Sequence, residues 1–123
     1  MSDYDDDRLA ALGESLASTY GMLTDVCLEL PVPIALPVGV ITPSDAVPAV
    51  TRAAVIAQEQ PLPEEQRINI QIGCTGWLAA LELFGAEAQH PRDLRVEGAQ
   101  MLLIQAREAL IQLMDWLMSQ RRP

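Results

Sequence analysis

Apolar residues recur at every seventh position along the last thirty residues of this chain. The repeat comprises Val96, Leu103, Leu110 and Leu117, with Ala99, Ala106 and Leu113 interleaved. A second repeat, near the start of the chain, comprises Leu9, Leu16, Leu23 and Leu30. Such heptad spacing is typical of helices that pack lengthwise against other helices. Ile104, Ile111 and Trp116 widen the C-terminal stripe, so we expect it to exceed what one neighbouring helix can bury.

Prolines and glycines divide the chain into four predicted helices. We predict an all-α fold with a single domain over residues 1–123, in which two long terminal helices flank two shorter ones. Because the middle helices are shorter, we expect the long helices to extend beyond them. The first, third and fourth predicted helices span residues 5–30, 64–84 and 92–120, and the second starts near residues 42–45 with its regular part over 47–58.

Residues 64–74 allow two interpretations. Ile68, Ile70 and Ile72 alternate with polar residues, which is a strand pattern. A single strand has no partner in an otherwise helical chain, and a proline followed by two glutamates is typical of a helix start. We therefore predict one helix that continues to Phe84 and, being apolar on two sides, lies in the interior. A strand is the alternative.

A strip of small residues on the first helix predicts a close contact with another helix, and the third helix carries a similar strip. The first helix carries Ala10, Gly13, Ala17 and Gly21 on one side, and the third carries Asn69, Gly73, Gly76 and Ala80. Small side chains allow another helix backbone to approach, although each glycine costs about 1 kcal/mol of helix propensity relative to alanine. We expect the strip on the first helix to lie against a neighbouring helix; the alternative is that its glycines only loosen that helix.

An extended, proline-rich segment of sequence PVPIALPVGVITP, residues 31–43, separates the first two helices. Its prolines prevent a helix and exclude a central strand. An ordinary linker is polar because it runs through water, whereas this one is almost wholly apolar. We expect it to pack either on the chain's own helices or on another subunit or protein. The residues available for that packing are Val32, Ile34, Leu36, Val38, Val40 and Ile41.

The net charge of −9 restricts the classes of partner. We expect no nucleic-acid binding, because phosphate contacts need a basic surface. An acidic surface instead favours a basic protein partner. The basic residues are all arginine, and this composition is typical of high-GC bacterial genomes.

The sequence predicts a cytoplasmic protein that does not associate with membranes. It shows no basic, apolar secretion leader and no apolar run of the roughly 20 residues that a membrane span requires. Cys27 and Cys74 lie on predicted helices, where buried free thiols are typical of a reducing compartment.

Side chains that perform chemistry are few. The chain has one histidine, His90, in a predicted loop, and two cysteines that are distant from it in sequence. A metal site needs several converging ligands, and nucleophilic catalysis needs a positioned base. We therefore expect no catalytic residues, no metal and no cofactor, and we predict that the protein is not an enzyme.

Association is the leading functional hypothesis. An apolar stripe that extends beyond the domain is covered most simply by a second copy of the chain. We predict a self-associating interaction or regulatory protein, with a homodimer favoured among homo-oligomers. The predicted interface residues are Val96, Leu103, Leu110, Leu113, Leu117, Ile34, Leu36 and Val38.

The alternative hypothesis is a helical bundle that encloses a small apolar ligand. The residues predicted to line its pocket are Met101, Met114, Trp77 and Trp116. Native mass spectrometry distinguishes the two, because assembly gives integer multiples of the chain mass and ligand binding gives a small added mass.

Overall fold

A computed structural model describes residues 3–121. Four residues of the predicted domain range lie outside the described residues: Met1, Ser2, Arg122 and Pro123. The helices are α1 (Asp3–Glu29), α2 (Pro43–Ala57), α3 (Glu64–Gln89) and α4 (Arg95–Gln120). No strand occurs among residues 3–121, so the predicted all-α, four-helix fold is confirmed, with residues 64–74 helical.

Prolines set the ends of α1 and the start of α2. α1 ends at Glu29, two residues before Pro31, because proline lacks the backbone N–H that continues a helix. Thr42 precedes α2 in an extended conformation, and Pro43 occupies the first turn, where no intrahelical donor is needed. Pro48 lies within α2, which accepts the loss of one hydrogen bond.

The C-terminal end of α3 and the N-terminal end of α4 differ from the predicted positions. α3 continues five residues past the predicted end at Phe84, to Gln89. α4 begins at Arg95 rather than Arg92, because Leu94 adopts a left-handed conformation with φ of 66° that a helix cannot contain.

α3 lies antiparallel to α4 and packs against both α4 and α1, while α2 packs on α3. Gly73 faces Leu110, and Gly76 faces Ala106, so the ends of α3 and α4 are level. The two helices have 26 residues each. The prediction that both middle helices would be shorter than α4 is therefore wrong for α3, and α4 does not extend beyond it.

One cluster of buried side chains joins all four helices. Its largest fully buried members are Leu12, Leu23, Leu30, Ile70, Leu103, Leu110 and Leu113. Ile70 and Cys74 of α3 face this cluster, whereas Ile68 and Ile72 on its other side are exposed. The prediction that α3 is buried on two sides is wrong, because α2 packs beside Ile68 and Ile72 without covering them.

The two strips of small residues have different outcomes. On α3, Gly73 and Gly76 are buried against α4, and a Cβ atom at Gly76 would lie 3.1 Å from Cβ of Ala106. On α1, a Cβ atom at Gly21 would meet nothing within 4 Å, and Gly21 is exposed. Gly13 does lie near α3, where its Cβ atom would be 3.5 Å from Phe84 Cε2, so the predicted α1 contact holds at Gly13 and is wrong at Gly21, which faces outward.

The proline-rich segment packs only partly on the chain's own helices. Leu36 is buried and Ile34 half-buried, and the Ile34 backbone N–H donates to Cys27 O at 2.9 Å. Val38 and Val40 are exposed. Internal packing thus accounts for Ile34, Leu36 and Ile41, and it leaves Val32, Val38 and Val40 uncovered.

Candidate functional site

The five α4 residues predicted for an interface lie in the chain's own core. Leu103, Leu110 and Leu113 are at most 1% exposed, and Val96 and Leu117 are also buried. α1 and α3 cover this stripe together, so the folded chain does not present it to a second copy. Among the predicted interface residues of the proline-rich segment, Leu36 is buried, Ile34 is half-buried and Val38 is exposed.

The apolar surface that α4 does expose lies beside the heptad stripe. Met101, Ile104 and Ile111 are 55%, 48% and 51% exposed. Their spacings of three and seven place them on one side of the helix. Met114 and Met118 are half-buried and continue the same side. This row was visible in the sequence as a widening of the apolar arc.

α1 and α4 run parallel and are joined at both ends by ion pairs. Arg8 pairs with Glu97 near the beginnings of the two helices, and Arg121 pairs with Glu29 near their ends. Between these pairs the exposed sides of α1 and α4 form a shallow channel, which we call the α1/α4 groove.

Toward its C-terminal end the groove deepens into a hollow of about 220 Å3. Met22 of α1 and Ile111 and Met114 of α4 supply most of its exposed apolar lining. Asp25 on α1 and Asp115 on α4 line it from opposite sides. Within residues 3–121 neither carboxylate forms an ion pair, so the hollow combines apolar walls with two uncompensated negative charges.

The rest of the α1/α4 groove also combines apolar side chains with acidic ones. A second hollow near its N-terminal end is lined by Ala11, Gln100 and Met101, together with the paired Arg8 and Glu97. Glu108 is exposed on α4 between Ile104 and Ile111, and the half-buried Arg107 precedes it. Arg107 lines neither hollow, and acidic groups outnumber it along the groove.

A wider hollow, about 680 Å3, lies where the α3–α4 loop meets α1, but its charges largely satisfy one another. Arg8 contacts both Asp5 and Glu97, with Arg8 Nη1 3.8 Å from Asp5 Oδ1. Arg92 donates its backbone N–H to Glu87 Oε1 at 2.9 Å. Arg95 Nη1 also lies 3.6 Å from Glu87 Oε1, so among the described residues that line this hollow only the opposite charges of Arg92 and Asp93 have no ion pair.

The side chains that were considered for chemistry do not converge. His90 is exposed in the α3–α4 loop, whereas Cys27 and Cys74 are buried free thiols. Burial raises the pKa of each thiol to about 12, which keeps both protonated and unreactive at neutral pH. The part of the chain that the structure describes contains no group of three or more potential metal ligands.

The residues predicted to line a ligand pocket are not brought together. Met101 and Met114 lie in the α1/α4 groove, Trp116 is half-buried on α4, and Trp77 is buried against α1. Asp25 and Asp115 were missed as site residues, because only the pairing of α1 with α4 places them on opposite walls of one hollow.

No protein-family model, curated protein or solved structure matches this chain. Across residues 3–121, none of the helices combines the length and the apolar character needed to cross a lipid bilayer.

Proposed function

We propose that this protein is a helical interaction module that binds a basic amphipathic helix of another protein in its α1/α4 groove. The observation that carries the proposal is the pair Asp25 and Asp115, which flank an apolar hollow without a cationic partner among the described residues.

The hollow suits a lysine or arginine side chain on the apolar edge of a helix. The aliphatic stem of such a residue packs on Met22, Ile111 and Met114, and its charged end lies between the two carboxylates. Methionine side chains are flexible and polarisable, so they adapt to different partner surfaces. A helix laid in a groove of this kind uses apolar anchors at positions i, i+3, i+4 and i+7.

A second copy of the chain is a poor occupant of this groove. Two copies that meet through α4 would bring Glu108 and Asp115 of each into one interface, and like charges at an interface oppose association. A chain of net charge −9 also repels its own copies at long range. Both effects reverse sign for a basic partner.

We place the interaction in the cytoplasm, in an accessory or regulatory rather than a catalytic role. The two buried free thiols support a reducing compartment. The absence of convergent reactive groups among residues 3–121 supports binding as the activity.

The homodimer remains a second candidate, on a different face. α3 exposes Ile68 and Ile72, α2 exposes Val55, and the charges of Arg67 and Glu64 beside the isoleucines balance. A two-fold contact there avoids the repulsion found at α4. Light scattering coupled to chromatography tests it: the wild type should elute as a dimer and Ile68→Glu as a monomer. A wild-type monomer at high concentration refutes it.

A synthetic leucine/lysine amphipathic peptide of about 20 residues is the probe for the main proposal. We expect Asp25→Asn/Asp115→Asn to weaken its binding roughly fivefold to tenfold in calorimetry at physiological salt. The matched control is Glu59→Gln/Glu82→Gln, which changes the net charge equally at exposed sites outside the groove. Equal weakening in both double variants means that the peptide follows net charge alone, and the proposal fails.

A further inference from the structure

A cavity of about 290 Å3 lies between α1, α3, the first turn of α2 and the proline-rich segment. Its walls include Leu16, Tyr20, Ile41, Ala46, Trp77 and Leu81. None of its described lining residues carries a charge. An engineered apolar cavity of about 150 Å3 in another protein holds benzene, so this one has room for one or two fused rings.

Two aromatic side chains form the inner wall. The ring centroids of Tyr20 and Trp77 are 5.2 Å apart, at an interplanar angle of 47°. Trp77 Nε1 donates to Leu16 O at 2.9 Å, and the Tyr20 hydroxyl donates to Pro37 O at 2.7 Å. Because both polar ends already bond to backbone carbonyls, the rings offer apolar surface to the cavity. The wall therefore favours an uncharged, largely apolar occupant.

The outer wall is the least constrained part of the chain near the cavity. Gly39 lines it with φ of +94°, a conformation that glycine adopts readily, and its neighbours Val38 and Val40 are exposed. Within the described structure, no hydrogen bond ties residues 38–41 to the helices after the Tyr20 contact with Pro37. Ala17, Gly39 and Thr42 of the lining are exposed, so the cavity is already partly open to solvent on this side, which gives a ligand a route inward.

We propose that this cavity is a binding site for a small, uncharged molecule built on one or two aromatic rings. The site shares no lining residue with the α1/α4 groove, so it is independent of the proposed helix binding. Either proposal can fail while the other holds.

Indole is the probe for this site, followed by NMR on the 15N-labelled protein. We expect saturable shifts of the Trp77 side-chain N–H and of the Ala17 and Gly39 amides, which lie at the cavity. A Trp116→Phe variant identifies the Trp77 signal. Shifts that do not saturate, or that spread evenly over the protein, overturn the proposal.

Ala17→Leu narrows the cavity from its rim and should weaken indole binding by about tenfold or more. Ala17 is exposed and helical, so leucine is tolerated there. The matched control is Ala10→Leu, two turns earlier on α1 and also exposed, which should bind indole as the wild type does. Indole should also raise the melting temperature of the wild type and of Ala10→Leu, but not of Ala17→Leu. Unchanged binding in Ala17→Leu contradicts the site.

Discussion

Gly73 of α3 lies against Leu110 of α4 so closely that a Cβ atom on the glycine would stand 2.6 Å from the leucine Cδ2 atom. Leu110 is fully buried, so its side chain has little space into which to move. This contact holds α3 level with α4, and it leaves α1 to cover the other edge of the heptad stripe. The α1/α4 groove lies on the solvent-facing side of the contact between α1 and α4.

Gly73→Ala should lower the free energy of unfolding by about 1–3 kcal/mol, because overpacking outweighs the gain in helix propensity. Urea denaturation measures the change. The control is Gly21→Ala, where a Cβ atom meets nothing within 4 Å and the propensity gain of up to about 1 kcal/mol should appear in full. Equal stabilisation by both substitutions contradicts the close α3–α4 contact.

Heptad spacing and proline positions were enough to predict four helices and most of their ends. The same patterns did not show which helix covers each apolar stripe. The stripe of Leu103 and Leu110 reads the same whether the covering helices belong to one chain or to two. The small residues on α1 and α3 likewise look alike in sequence, yet Gly73 and Gly76 of α3 lie tightly against α4, whereas Gly21 of α1 is exposed. Which surface of a helix is covered, and by which neighbour, depends on how all four helices pack together.

The site was harder to predict than the fold because its parts are far apart in sequence. Asp25 and Asp115 each occupy an ordinary polar position on an amphipathic helix. They line the same hollow because α1 and α4 lie parallel to each other. The ion pairs Arg8–Glu97 and Arg121–Glu29 join the two helices at their ends. No local pattern encodes that alignment.

Thr19→Val should stabilise the protein by about 1–2 kcal/mol. The Thr19 hydroxyl is fully buried and has no hydrogen-bond partner, and valine keeps the shape while removing the polar group. Thr24→Val is the control, because the Thr24 hydroxyl donates to Tyr20 O at 2.9 Å and its loss should bring no such gain. Thermal denaturation compares the two. A loss of stability in Thr19→Val would indicate a hydrogen bond at that hydroxyl.

Substitutions at two adjacent α4 residues should affect stability and peptide binding differently. Leu110→Ala should cost about 2–5 kcal/mol of stability, because the leucine is fully buried. Ile111→Ala should change stability by only about 0.5 kcal/mol, since its side chain is half exposed, yet it should weaken binding of the leucine/lysine peptide. Denaturation and calorimetry on the same samples measure both. Full peptide affinity in Ile111→Ala contradicts the groove as the binding site.

The thiols should make stability fall at alkaline pH. Burial raises the pKa of Cys27 and Cys74 to about 12, against about 8.5 for an unfolded thiol. Their contribution is therefore complete below pH 8.5 and decreases as the pH rises toward 12. The stability difference between wild type and Cys27→Ala/Cys74→Ala should narrow over that range in urea titrations. A constant difference would mean that the thiols ionise as readily in the folded chain.

The most direct test of helix binding is to map the leucine/lysine peptide onto the 15N-labelled protein by NMR. We predict saturable amide shifts concentrated on both walls of the α1/α4 groove, including Met22, Asp25, Ile111, Met114 and Asp115. Shifts that fall mainly on the α2/α3 face, or that follow the acidic residues wherever they lie, would contradict the account.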